Sequence, residues 1–125
     1  MRAFIVTLAD RPGSAAEVFE AVAAAGVDLQ GIAGIANGQT GIVALIPDDE
    51  DACRRALAAT DHSVVETEIE MTEADNAPGS AARLARRLAD AGVNIQVMLP
   101  IGMNGGRIQV AIGATDNAKL KSALG

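Results

Sequence analysis

The chain has 125 residues, half of them apolar, with a formal charge of −6 and only two aromatic residues, Phe4 and Phe19. That acidic balance argues against a nucleic-acid binder, which needs basic patches, and the scarcity of aromatics argues the same way for single strands, which need stacking platforms. It equally disfavours anionic membranes, and no apolar run approaches the roughly 18 residues of a membrane span.

Ala3 to Leu8 reads as a strand, with Phe4, Val6 and Leu8 on one face and Ile5 and Thr7 on the other. Asp10-Arg11-Pro12-Gly13 breaks it, and a helix follows from Ser14 to about Ala25, with Ala15, Val18, Phe19 and Val22 at helical spacing. Gly26 is the natural stop. Val27 to Ala36 and Thr40 to Ile46 read as a hairpin turned at Asn37-Gly38. Asp49 to Ala59 is a second helix, acidic in its first turn and basic later, as the macrodipole favours. From Ser63 to Thr72, Val65, Thr67, Ile69 and Met71 alternate with Glu66, Glu68 and Glu70, which predicts a strand with one buried face and one wet face. Ser80 to Ala91 is a third helix, with Ala81, Leu84, Ala85 and Leu88 inward and Arg83, Arg86 and Arg87 outward. Val93 to Met98 and Arg107 to Ile112 are strands around Asn104-Gly105, and Asp116 to Leu124 is a short helix.

The order of elements repeats because the sequence repeats. Pro12-Gly13-Ser14-Ala15-Ala16 returns as Pro78-Gly79-Ser80-Ala81-Ala82, and Ala25-Gly26-Val27-Asp28-Leu29-Gln30 returns as Ala91-Gly92-Val93-Asn94-Ile95-Gln96. The offset is 66 residues throughout these stretches and becomes 67 from the second hairpin onward. Self-similarity at a fixed period marks copies of one supersecondary unit. The expected fold class is α+β: two ferredoxin-like βαββαβ repeats, residues 1–66 and 67–125, with antiparallel sheets and the helices on one face. No linker separates the copies, so the Ser63–Thr72 strand must serve both. The second copy ends before its last strand.

Cys53 is the only cysteine, so no internal disulfide framework exists. Met1-Arg2 leads directly into a strand, and a cytoplasmic protein is expected. With one His and one Cys, no structural zinc set forms within a chain, no phosphate-loop or nucleophile motif occurs, and no cofactor is implied.

The informative place is the first strand-to-helix turn of each copy. Gly13 and Gly79 let backbone approach a ligand, and the first helical turn has N–H groups without intrahelical partners. Such a helix start accepts an anion, and a carboxylate fits it. Asp28 and Asn94 lie where the next strand begins, as partners for an ammonium. These are the parts of an α-amino-acid site.

These residues resemble the ACT domain. Asp10-x-Pro12-Gly13 before a helix, then Ala25-Gly26-Val27-Asp28-Leu29, is similar to its motif; Asn76-x-Pro78-Gly79, then Ala91-Gly92-Val93-Asn94-Ile95, is a second copy. The resemblance spans almost the whole chain and extends to small stand-alone tandem ACT proteins whose copies share a strand. It implies a non-catalytic regulatory protein that binds a small amino acid at ACT–ACT interfaces, as a homodimer. One site is then lined by Arg11, Gly13, Ser14, Asp28, Leu29 and Gln30, the other by Ala77, Gly79, Ser80, Asn94, Ile95 and Gln96. Asn76 in place of the usual acid and the missing last strand set the second copy apart. The alternative is a regulatory subunit acting mainly through contact with a metabolic enzyme or regulator; a small enzyme on the same fold is the third.

Plainer readings stand beside each candidate. Pro-Gly before a helix also serves simply as turn and cap. His62 reads as a loop residue, Cys53 as a small helix residue, and the glutamate and arginine stripes as solvated faces.

Overall fold

The computed structural model describes residues 1–125 and carries six strands and four helices. In chain order they are β1 (Arg2–Ala9), α1 (Ser14–Ala24), β2 (Leu29–Ala36), β3 (Thr40–Pro47), α2 (Glu50–Ala58), β4 (Ser63–Asp75), α3 (Ser80–Asp90), β5 (Ile95–Asn104), β6 (Arg107–Ala114) and α4 (Asn117–Leu124). The chain divides into two compact units, Met1–Thr67 and Glu68–Gly125.

In unit 1 the strands lie in the order β2-β3-β1-β4, the ferredoxin-like arrangement. β1 and β3 pair antiparallel with Phe4 opposite Leu45, Val6 opposite Val43 and Leu8 opposite Gly41. Partners across a ladder share a face, so Phe4, Val6, Leu8, Val43 and Leu45 all point to the side covered by the helices. Val18 and Val22 of α1 and Cys53 and Leu57 of α2 close over them. Burying each large side chain here contributes about 1.5–3 kcal/mol. The strand expected from Val27 begins at Leu29, because the N–H of Val27 closes the end of α1 on the carbonyl of Val22 while its side chain joins the core.

Unit 2 repeats the plan with one strand fewer, in the order β4-β6-β5. Leu84 and Leu88 of α3 and Leu120 of α4 pack with Val93, Val110 and Ile112. β5 runs six residues beyond the expected Met98, to Asn104, and its register shifts between Pro100 and Gly102.

β4 is 13 residues long and belongs to both units, as the last strand of one and the first of the other. Its alternation is as expected, and of the expected buried face Thr67 and Ile69 are buried while Val65 and Met71 are not. Val64 packs on the unit 1 core, so its parity is the helix side within unit 1, and Ala74 packs on the unit 2 core, so its parity is the helix side within unit 2. The glutamates lie on that side of their own unit. Glu66 receives two hydrogen bonds from Arg54 of α2, both 2.7 Å, and Asn117 of α4 donates to Glu68 and Glu70. Val65 and Met71, on the opposite face, are 59% and 39% exposed, while Thr67 and Ile69 are buried. The stripe is thus partly solvated, with Glu68 exposed and Glu66 and Glu70 half-buried, and its carboxylates hold α2 and α4.

Candidate functional site

The four helices start in two different ways. α2 and α4 begin at Asp49 and Asp116, whose carboxylates accept from the N–H groups of Ala52 and Lys119 at 3.0 and 3.1 Å. α1 and α3 begin at Gly13 and Gly79, with φ of 92° and 87°, and no side chain caps either. A left-handed φ suits glycine alone at little cost. The N–H groups of Ser14 and Ser80 reach back to the Arg11 and Ala77 carbonyls at 3.4 and 3.3 Å, and the rest of each first turn is left without a side-chain cap at the positive end of the helix dipole, at equivalent places in both repeats. The same fold caps its other two helices with aspartate, so the bare starts belong to these two turns alone.

In unit 1 the bare turn opens on a cavity of about 300 Å³, lined by Leu8, Ala9, Asp10, Arg11, Ser14, Ala15, Gly34, Ile35, Ala36, Gly41 and Val43. That is the lower end of the range for small-ligand sites. Ser14, the first residue of α1, is only 3% exposed, and its Oγ has no hydrogen-bond partner. A buried hydroxyl without a partner is rare and costly, and here it stands at the cavity wall. Arg11 leans over the turn, its Nη1 3.9 Å from where a Cβ on Gly13 would sit, and pairs with Glu17 at 3.3 Å. The cavity exists because its floor is nearly without side chains. Gly34 pairs with Val43 and Ala36 with Gly41, all on the helix side of the β2–β3 hairpin.

Unit 2 has the matching cavity, about 250 Å³, lined by Ala74, Asp75, Asn76, Ala77, Ser80, Ala81, Leu84, Met98, Pro100, Ile108 and Val110. Its chemistry differs. The Ser80 hydroxyl accepts from Arg83 Nη2 at 3.2 Å, and the same guanidinium would lie 2.9 Å from a Cβ on Gly79. Where unit 1 has Gly34 and Gly41, unit 2 has Pro100 and Ile108, since Pro100 pairs with Val110 as Gly34 pairs with Val43.

Arg11 and Ser14, and Ala77 and Ser80, thus line the two cavities, with Gly13 and Gly79 at their turns. Asp28, Leu29 and Gln30 do not line the unit 1 cavity, nor do Asn94, Ile95 and Gln96 line that of unit 2. The reason is topological. α1 runs back along the sheet, so β2 starts at the end opposite the α1 N-terminus and reaches the cavity only at Gly34–Ala36. The N–H of Asp28 donates to Asp48 Oδ1 and its carbonyl accepts from the Asp48 N–H, each at 2.9 Å. Asn94 Nδ2 donates to Thr115 Oγ1 at 3.0 Å. The floor residues escaped the reading of the sequence; the signal was glycine inside a strand, which marks close approach of a ligand or another backbone.

Other polar groups are engaged in packing. Arg54 lies over the Phe4 ring at 5.7 Å besides holding Glu66, and its hydrogen bonds, with its charge behind them, keep the Glu66 carboxyl below the usual range. Burial pushes the Cys53 thiol up to about 11. His62 Nε2 is 3.6 Å from Glu17. Arg87 donates to the carbonyls of Ala123 and Leu124, closing the end of α4 rather than standing free in solvent. No helix is long and apolar enough to cross a membrane.

Two ferredoxin-like repeats, each with a glycine-led bare helix start, and a strand common to both, define the tandem ACT-type fold. Solved structures share it. A protein of Bacteroides thetaiotaomicron superposes with a TM-score of 0.81 at 25% identity, over 98% of this chain and 85% of that one. The regulatory subunit of aspartate kinase from Thermus thermophilus, in its ligand-free form, gives 0.66 at 22% identity over 99% and 92%. The corresponding subunit from Thermus flavus gives 0.67 at 22% over 98% and 88%. No family model matches the sequence, and no curated protein matches it.

Proposed function

We propose that this chain is a non-catalytic regulatory protein that binds a small α-amino acid at the bare α1 turn, and at its counterpart on α3. The observation that carries this reading is the buried, unpartnered Ser14 hydroxyl beside an uncapped helix N-terminus at the wall of a cavity. The ligand carboxylate takes the first-turn N–H groups beyond that of Ser14, which already donates to the Arg11 carbonyl, and the Ser14 hydroxyl, where the helix dipole favours negative charge.

A homodimer supplies the rest. β2 is bonded only to β3 and so presents an open edge. Antiparallel pairing of two such edges sets the start of one β2 beside the end of the other. Asp28, Leu29 and Gln30 of one chain then face the cavity at Gly34–Ala36 of the second, and the Asp28 carboxylate meets the ligand ammonium. β5 is the corresponding edge of unit 2, where Asn94, Ile95 and Gln96 take the same place with an amide for the acid.

The alternative, a subunit acting mainly through contact with a metabolic enzyme, draws on the likeness to regulatory subunits of aspartate kinase. A thermal-shift panel of the common amino acids separates the two. A ligand at 100 times its Kd adds about 2.7 kcal/mol of stability. A shift from one or a few members is expected; none from any member at millimolar concentration refutes amino-acid binding and leaves the contact reading.

A further inference from the structure

We propose that Gly34 and Gly41 set the ligand specificity of the unit 1 cavity: they are kept without side chains so that the side chain of a bound amino acid lies against the sheet there. The inference rests on the amino-acid reading above and names the ligand class, an amino acid with a bulky side chain.

Glycine inside a strand weakens it, so each instance asks for a reason. The backbone supplies none. Neither residue has a positive φ, unlike seven other glycines of the chain. Space supplies none either. A Cβ on Gly34 would meet nothing closer than the Ile42 carbonyl at 4.0 Å. One on Gly41 would meet the Ile35 carbonyl at 3.6 Å and the Ala36 Cβ at 3.7 Å, ordinary contacts. The fold itself does not ask for glycine, because the second repeat puts Pro100 and Ile108 at the same two ladder positions. What the two glycines do share is the cavity. Both line it beneath Ser14 and Ala15, with Ala36, the smallest chiral residue, next to them. A side chain at either position would occupy the floor of that space. In unit 2 the corresponding floor carries the side chains of Pro100 and Ile108 instead.

The test compares the natural chain with the Gly34→Val/Gly41→Val double variant, and with Gly41→Ala, whose added methyl makes only ordinary contacts. Isotope-labelled protein is titrated with L-leucine, L-methionine and L-lysine as bulky probes and with glycine and L-alanine as small ones. The amide signals of Ser14 and Ala15 read binding at unit 1 apart from unit 2. Melting is recorded without ligand. The natural chain is expected to bind at least one bulky probe. The double variant is expected to lose about tenfold or more of that affinity, the scale on which pockets reject excess methylenes, with a smaller loss for Gly41→Ala. Glycine and L-alanine should bind as before, and the unliganded double variant should melt no lower, since valine suits a strand better. Unchanged affinity for the bulky probe overturns the inference and leaves the amino-acid reading intact. So does a natural chain that binds only the small probes, or a double variant that loses self-association with no change in affinity. If no amino acid binds the natural chain, the parent reading falls and this one with it.

Discussion

Replacing Ser14 with alanine should strengthen the unliganded protein and weaken its binding. The Ser14 Oγ is buried and makes no hydrogen bond, so deleting it breaks nothing. A buried hydroxyl left unsatisfied costs about 1–3 kcal/mol, and alanine adds a few tenths as a better helix former. Against this stands the small space left by one oxygen atom. A net gain of about 1 kcal/mol, or about 3–5 °C in Tm for a chain of this length, is the expected result. Binding moves the other way. A hydroxyl donating to a carboxylate is worth about 1.5–3 kcal/mol, so the amino acid that binds should do so about ten to a hundred times more weakly. Urea denaturation without ligand measures the first quantity and titration calorimetry the second. Ser80→Ala is the internal control. That hydroxyl already accepts from Arg83, so its loss should leave stability level or slightly lower. Loss of stability in unliganded Ser14→Ala would refute the reasoning, because the hydroxyl must then have had a partner. Unchanged affinity would remove Ser14 from the site.

Acid should loosen unit 1 through Glu66: its pKa is lowered by Arg54, so its contribution is present above the ordinary carboxylate range of about 4.3 and is lost as pH falls through and below it. Urea midpoints measured from pH 7 down to pH 3 should fall less steeply in Glu66→Gln than in the natural chain; identical slopes would exclude this pair as a contributor. Cys53, buried in the unit 1 core with its thiol pushed up to about 11, should react with iodoacetamide at pH 8 only as fast as unit 1 opens. Rapid modification of the native protein, well below the urea transition, would contradict that burial.

How far the sequence carried the structure depends on what kind of signal each feature leaves. The repeat left a strong one, because identical turn and cap residues recur at an offset of 66 or 67: Pro-Gly-Ser at the starts of α1 and α3, Ala-Gly-Val after them, Asn-Gly in the hairpins. Each fixes a local conformation without reference to the rest of the chain. The faces of β4 left an ambiguous one. A period of two shows that the sides differ and says nothing of which side the helices cover. The usual inference puts apolar residues under helices; Arg54, Asn117 and Lys121 reverse it by reaching Glu66, Glu68 and Glu70 from α2 and α4. The cavities left almost none. They depend on which residues of the hairpins stand under the first turn of a helix, and that needs the register, Gly34 to Val43 and Ala36 to Gly41. Motif proximity points to Asp28 instead, because it comes just after the helix in sequence. A helix of 11 residues carries the chain about 16 Å, at 1.5 Å per residue, so the next strand begins at the far end of the sheet. Sequence adjacency and spatial adjacency part company over that distance. Within one chain Asp28 is remote from the turn its motif accompanies, and an antiparallel partner edge is the arrangement that would bring the two together again.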